Sequence, residues 1–93
     1  MRTIERSSAF KRDYKQEAKG QYRKTLDVIL TPVLFELAND QPLEKRHKDH
    51  GLGGNWIGYR ECHIKPDLLL IYYKSKNILR LARLGSHSNL FGN

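Results

Sequence analysis

Four histidines, His47, His50, His63 and His87, share a 93-residue chain with Asp67, Arg83 and Phe91. Side chains of these types support two kinds of chemistry. The first is metal binding, since His47-x-x-His50 and Cys62-His63 are zinc-ligand types. Neighbouring residues on a strand point to opposite faces, so Cys62 and His63 cannot both reach one ion without distortion. His-x-x-His in a loop is a weak pattern, and no metal is expected. The second is cleavage of RNA without a metal. RNA carries its own nucleophile, the ribose 2′-hydroxyl. A protein must take its proton, stabilise the phosphorane and protonate the departing 5′-oxygen, which calls for a base, an acid and a cation. His50, His63, Asp67, Arg83 and His87 offer all three roles. The stretch from Arg83 to Asn93 concentrates the mixture, with an arginine for phosphate, a histidine for a proton and Phe91 to stack on a base.

Composition narrows the setting. The length fits a single domain, 1–93, with one modest core. Hydrophobic content of 39% with 29% charged residues is that of a folded globular chain. The net charge of +7 and pI near 9.8 favour polyanionic partners: RNA, DNA or an acidic protein. Most of that excess lies in the first 24 residues, where Lys11, Lys15 and Lys19 repeat at helical spacing. A charge run is usually a solvated face, but this regularity makes a phosphate-facing stripe the more useful hypothesis. One cysteine, no secretory leader and no apolar run of membrane length point to the cytoplasm.

The elements that must position these groups follow from punctuation and period. Arg2 to Arg6 suits a short strand, and Ser7 or Ser8 can cap a helix that carries Phe10, Tyr14 and Ala18 on one face and ends at Gly20. A second helical pattern starts near Tyr22, with Pro32 predicting a kink or a restart capped by Thr31. Residues 43–55 read as a polar, glycine-rich loop. Trp56 to Ile64 reads as a strand, Lys65-Pro66-Asp67 as a turn, Leu68 to Lys74 as a central strand and Ile78 to Leu84 as a third. The fold class is α+β: an N-terminal helical hairpin on a mainly antiparallel sheet of three or four strands. Strands one and three then end at one edge, where Asp67, Arg83 and His87 can converge with His63 near them.

Lys48-Asp49-His50-Gly51-Leu52, Trp56 through Asp67 and Leu81 through Gly92 closely resemble the YafQ-type toxins of the RelE/ParE superfamily, bacterial type II toxin–antitoxin proteins. The resemblance covers the whole chain in length and element order and is specific from about residue 43. It implies a RelE-like fold and a ribosome-dependent endoribonuclease that cuts mRNA in the decoding centre. It implies ribosomal RNA as a contact, silencing by a cognate acidic, DinJ-like antitoxin, and operator DNA as a ligand of the toxin–antitoxin complex. No cofactor and no membrane are implied. Family site positions fall on His50, His63, Asp67, Arg83, His87 and Phe91. His87 is then the favoured proton-transfer residue, His50, His63 and Asp67 share base, acid and orienting roles, Arg83 holds the scissile phosphate and Phe91 stacks on a base. Leu68 departs from the best-known member, which carries tryptophan there.

Plainer roles compete for several of these residues. Arg83 could pair with a carboxylate, Phe91 could anchor the tail, and Trp56, Tyr59, Tyr72 and Tyr73 fit core or sheet-surface positions better than RNA platforms. Two other functions compete for the whole chain. A topoisomerase-poisoning toxin of the same superfamily needs no acid–base groups, which argues against it here. A nucleic-acid-binding module acting with an antitoxin at its own promoter is the other.

Overall fold

Leu68–Lys74 forms the strand on which the computed structural model is built, with residues 1–92 described and Asn93, the last residue of the tail, outside them. Leu68, Leu70 and Tyr72 point to one face and Leu69 and Ile71 to the other, and all five are buried. An almost wholly apolar strand is stable only when both faces are covered. The elements in chain order are β1 (Thr3–Arg6), α1 (Ser8–Lys19), α2 (Leu26–Ala38), β2 (His50–Gly51), β3 (Arg60–Lys65), β4 (Leu68–Lys74), β5 (Ile78–Gly85) and α3 (His87–Phe91). The strands lie in the order β1-β5-β4-β3-β2. β1 runs parallel to β5, and the other pairings are antiparallel.

The α+β class and the N-terminal helices agree with the sequence. The strand count is five because the glycine-rich segment contains β2, a two-residue strand on β3. Backbone pairing alone makes it, so no side-chain period announces it. Single turns of 3₁₀ helix, Lys45–His47 and Gly54–Trp56, flank it. Trp56 therefore belongs to a turn rather than to the expected strand. Gly58, at φ 91°, reverses the chain, and β3 begins at Arg60.

The α1–α2 hairpin covers one face. Phe10 of α1 and Leu26, Leu30, Val33, Leu37 and Ala38 of α2 pack on Cys62, Ile64, Leu68, Leu70, Tyr72, Leu79, Leu81 and Leu84. Leu68 belongs to this packing, so the residue at 68 serves the core and not an RNA platform. Ser7 caps α1 by accepting from the Phe10 amide at 2.9 Å. It also donates its hydroxyl to the Ala82 carbonyl at 2.7 Å. β1 stops pairing at Leu81, and beyond it the side chains of Ser7 and Asp13 satisfy the Ala82 carbonyl and the Leu84 amide.

α2 differs from expectation at two points. It starts at Leu26, because Tyr22 closes a turn through its carbonyl to the amides of Thr25 and Leu26. It also runs unbroken through Pro32, with Thr25 and not Thr31 at its N-cap. The missing proline amide leaves the carbonyl of Val28 without its helical donor. Val28 and Pro32 are both exposed, so water can replace the lost bond.

Burial pushes the Cys62 thiol up to about 12, helped by the negative charges of Asp49 and Glu61. Burial and the bond to Asp49 push the Tyr72 hydroxyl up as well. A raised folded pKa favours the protonated form. Stability from Cys62 is complete below the unfolded thiol value near 9.0 and is lost as pH rises toward about 12. The urea midpoint should therefore fall above pH 9, by up to about 1.4 kcal/mol of stability for each pH unit per group. Cys62→Ala should flatten the decline between about pH 9 and 10, and an unchanged slope there would show that the thiol does not contribute.

Candidate active site

Register decides which side chains share a face, because directly paired residues point the same way. Across β2, β3, β4 and β5 one row runs His50–Glu61–Ile71–Arg83. The adjacent row on the same face runs His63–Leu69–Gly85. This is the face away from α1 and α2, except that a bulge in β5 at Ala82 leaves Arg83 at the strand edge, where its side chain reaches back to α1. Its centre is apolar, where Leu69, Ile71, Ala82 and Leu90 pack with Leu52, Trp56 and Tyr59. His50 and Arg83 stand three strand spacings apart, on the order of 15 Å between backbones, with Ile71 between them.

Asp67 lies two residues before Leu69, and His87 two residues after Gly85. The same antiparallel pairing, carried past the strand ends, sets them opposite each other. The His87 amide donates to an Asp67 carboxylate oxygen at 3.4 Å. His87 opens α3, which Ser86 caps by accepting from the Asn89 amide at 3.1 Å. Phe91 follows one helical turn later, its ring centroid 5.2 Å from that of His87. Phe91 remains 38% exposed, so it is no core plug.

His50 and His63 meet through a residue that the motifs did not single out. Glu61 is buried, and its Oε1 lies 3.5 Å from His50 Nε2 and 3.6 Å from His63 Nε2. One carboxylate thus stands within ion-pair reach of two imidazoles and offsets a positive charge arising on either. The signal for Glu61 was its place two positions before His63, which puts both on one face of a strand. His50 Nδ1 lies 2.7 Å from the Lys48 carbonyl, and a proton there leaves Nε2 turned toward Glu61.

The loop carrying His50 is tied down from the opposite face. Asp49 accepts the Tyr72 hydroxyl and two Arg60 N–H groups at 3.3 and 3.4 Å. Buried His47 holds the same segment through its Nδ1, 2.6 Å from the His63 carbonyl. His47 and Cys62 thus have structural places, and among the described residues no group of three His, Cys, Asp or Glu is arranged to hold a metal ion.

Arg83 has its carboxylate on a helix and not on the sheet. Its Nε and Nη2 donate to Asp13 of α1 at 2.7 and 3.2 Å, and this pairing keeps the guanidinium firmly charged. Burial raises the Glu17 carboxyl, with the charges of Asp13 and Asp67 adding to the effect. The lysines lie elsewhere. Lys11, Lys15 and Lys19 are exposed on α1, with Lys15 about 200° around the helix from Asp13. The stripe therefore faces away from Arg83. A concavity of about 640 Å³ is lined by Val28, Pro32, Phe35, Arg46 and Lys65, and none of His50, Asp67, Arg83 or His87 borders it.

A helical hairpin on one face of the sheet, with histidines and carboxylates on the other and an arginine at its edge, marks a class shared with known proteins. The model of bacterial toxins of type II toxin–antitoxin systems, YafQ, matches residues 2–92. The mRNA interferase toxin YafQ of Escherichia coli K12 is 37% identical over 91 residues, 98% of this chain and 97% of that protein. A copper-bound mutant toxin from Helicobacter pylori superposes with a TM-score of 0.89 at 37% identity, covering 98% of this chain and 100% of that one. YafQ in the E. coli DinJ–YafQ complex superposes at 0.85 with 39% identity, covering 99% and 100%. The chain belongs to the YafQ family of type II toxin–antitoxin toxins.

Proposed function

We propose that this toxin is a ribosome-dependent endoribonuclease that cuts mRNA and so inhibits translation in the cytoplasm. The observation that carries the reading is the shared face. Register puts His50 and His63 on one side of the sheet, Arg83 follows at the bulged edge of β5, and the strand ends bring Asp67 to His87. His87 is the favoured proton carrier, and His50, His63 and Asp67 share the base, acid and orienting roles. Proton removal lets the 2′-oxygen form a bond to phosphorus as the bond to the 5′-oxygen breaks. The 5′-oxygen takes a proton, leaving a 2′,3′-cyclic phosphate, which a water molecule can then open to a terminal 3′-phosphate. Arg83 neutralises charge on the phosphorane, and Phe91 stacks on a base. No metal takes part in this reading, so cutting should survive a transition-metal chelator used with Mg²⁺ retained for the ribosome.

The partners in this reading are mRNA on the ribosome, ribosomal RNA and an acidic DinJ-like antitoxin, the toxin–antitoxin complex binding operator DNA. The solved DinJ–YafQ complex of a relative supports the antitoxin. No helix among the described residues is long and apolar enough to cross a membrane. The test is primer extension on an mRNA translated in a cell-free system, with wild type beside His87→Ala. Equal cutting by both, or no ribosome-dependent cutting by wild type, would sink the assignment.

The lysine stripe has its own test. Replacing Lys11, Lys15 and Lys19 together by glutamine should weaken ribosome binding and reduce the slope of log affinity against log salt by about 2 to 3. Because the stripe faces away from Arg83, cutting at saturating ribosome should be unchanged. Unaltered binding would return the stripe to a solvated face.

A further inference from the structure

Asp13 sits where a helix, a strand edge and the arginine of the site meet. Its Oδ2 accepts from Arg83 Nε at 2.7 Å and from the Leu84 backbone amide at 3.0 Å. Its Oδ1 accepts from Arg83 Nη2 at 3.2 Å. The Asp13 side chain is only 13% exposed and that of Arg83 29%. The carboxylate is thus fixed by the backbone of β5 before it touches the guanidinium. Of the five N–H donors in that plane, Asp13 takes one on Nε and one on Nη2. Both donors on Nη1 and the second on Nη2 remain, enough to grip two oxygens of one phosphate end-on.

We infer that Asp13 is a positioning residue for the cleavage reaction: it clamps Arg83 by one edge so that the opposite edge is presented to the scissile phosphate. The inference rests on the reading of Arg83 as the phosphate cation. An unclamped arginine would have to freeze its long side chain as the phosphorane forms, whereas this one is already ordered. Pairing with Asp13 also cancels much of the local net charge. What remains is directed hydrogen bonding, which acts on charge developing in the transition state more than on general attraction of RNA. Asp13 should therefore affect the rate of cutting and not the affinity for the ribosome.

Asp13→Asn separates this role from a structural one. The amide oxygen can still accept from Leu84, while the amide nitrogen turns donor hydrogens toward the guanidinium. Asp13→Glu is the second variant, keeping the charge but moving it by one methylene. The measurement is single-turnover cutting of ribosome-bound mRNA at saturating toxin, with ribosome affinity and thermal midpoint measured alongside, for wild type, both Asp13 variants, Arg83→Ala and the double variants. Asp13→Asn should cut about ten- to a hundredfold more slowly, Asp13→Glu should also lose rate, and ribosome affinity should stay within about twofold in both. In the Arg83→Ala background neither Asp13 change should slow cutting further. Wild-type rates in both Asp13 variants, or the same fold loss with and without Arg83, would overturn the proposal. Wild-type cutting by Arg83→Ala would instead overturn the phosphate reading of Arg83 and take the clamp with it.

Discussion

His87→Ala will cut ribosome-bound mRNA about a hundred- to ten-thousandfold more slowly than wild type, the range expected for removing a positioned proton carrier, the role proposed for His87. The size of the loss follows from where the residue stands. His87 is the first residue of α3, its amide faces Asp67, and its imidazole is exposed beside Phe91. It covers no core residue, so alanine should leave the thermal midpoint within a degree or two and the defect should fall on chemistry alone. Surface substitutions of this kind usually change stability by less than about 0.5 kcal/mol. The loss should appear in the single-turnover rate while the affinity for the ribosome is kept. A fall in stability that accounts for the lost cutting would mean that His87 holds α3 in place.

The second large effect is on stability. Leu70→Ala should destabilise the protein by about 2–5 kcal/mol, the usual range for truncating a fully buried leucine. Leu70 is at the middle of β4, pairs with Cys62 on one side and Leu84 on the other, and has no exposed surface. A small domain has roughly 5–15 kcal/mol in all, so this one truncation can remove a large share of it. The midpoint should fall by about 4–8 °C for each kcal/mol. Val28→Ala is the control, since Val28 is 73% exposed, and it should cost well under 1 kcal/mol. Leu70 points into the helix-covered core, opposite the row that carries His50 and Arg83. Below its midpoint the variant should therefore still cut RNA. A loss of less than about 1 kcal/mol by urea unfolding would mean that the core closes over the gap.

The parts of this structure written in local chemistry were legible in the sequence. Apolar β4 announced a central strand, Ser7 and Gly20 bounded α1, and the Lys65-Pro66-Asp67 turn fixed the direction that brings Asp67 to the end of β5. Its less legible parts depend on contacts between distant segments. β2 is held by backbone pairing in a segment without hydrophobic period, so it read as loop. Trp56 carries strand-like side-chain chemistry but is followed by Gly58, whose positive φ ends any strand there. The clamp on Arg83 was illegible for another reason: several carboxylates could have reached it, and only the packing of α1 against β5 selects Asp13. Glu61 was within reach of the reading, because alternation alone places it beside His63. A carboxylate flanked by Arg60 and Cys62 nevertheless looks like an ordinary strand residue.

The parallel pairing of β1 with β5 has a consequence for how the protein comes into being. Thr3–Arg6 are synthesised well before their strand partners, Ile78–Leu81. Parallel, long-range pairing of this kind is slow to form. During synthesis β1 must wait unmatched until those residues have emerged. Arg83 and His87 arrive only after that partner strand. Completion of the sheet and assembly of the proposed site are then one event, set by the arrival of β5 and the residues that follow it.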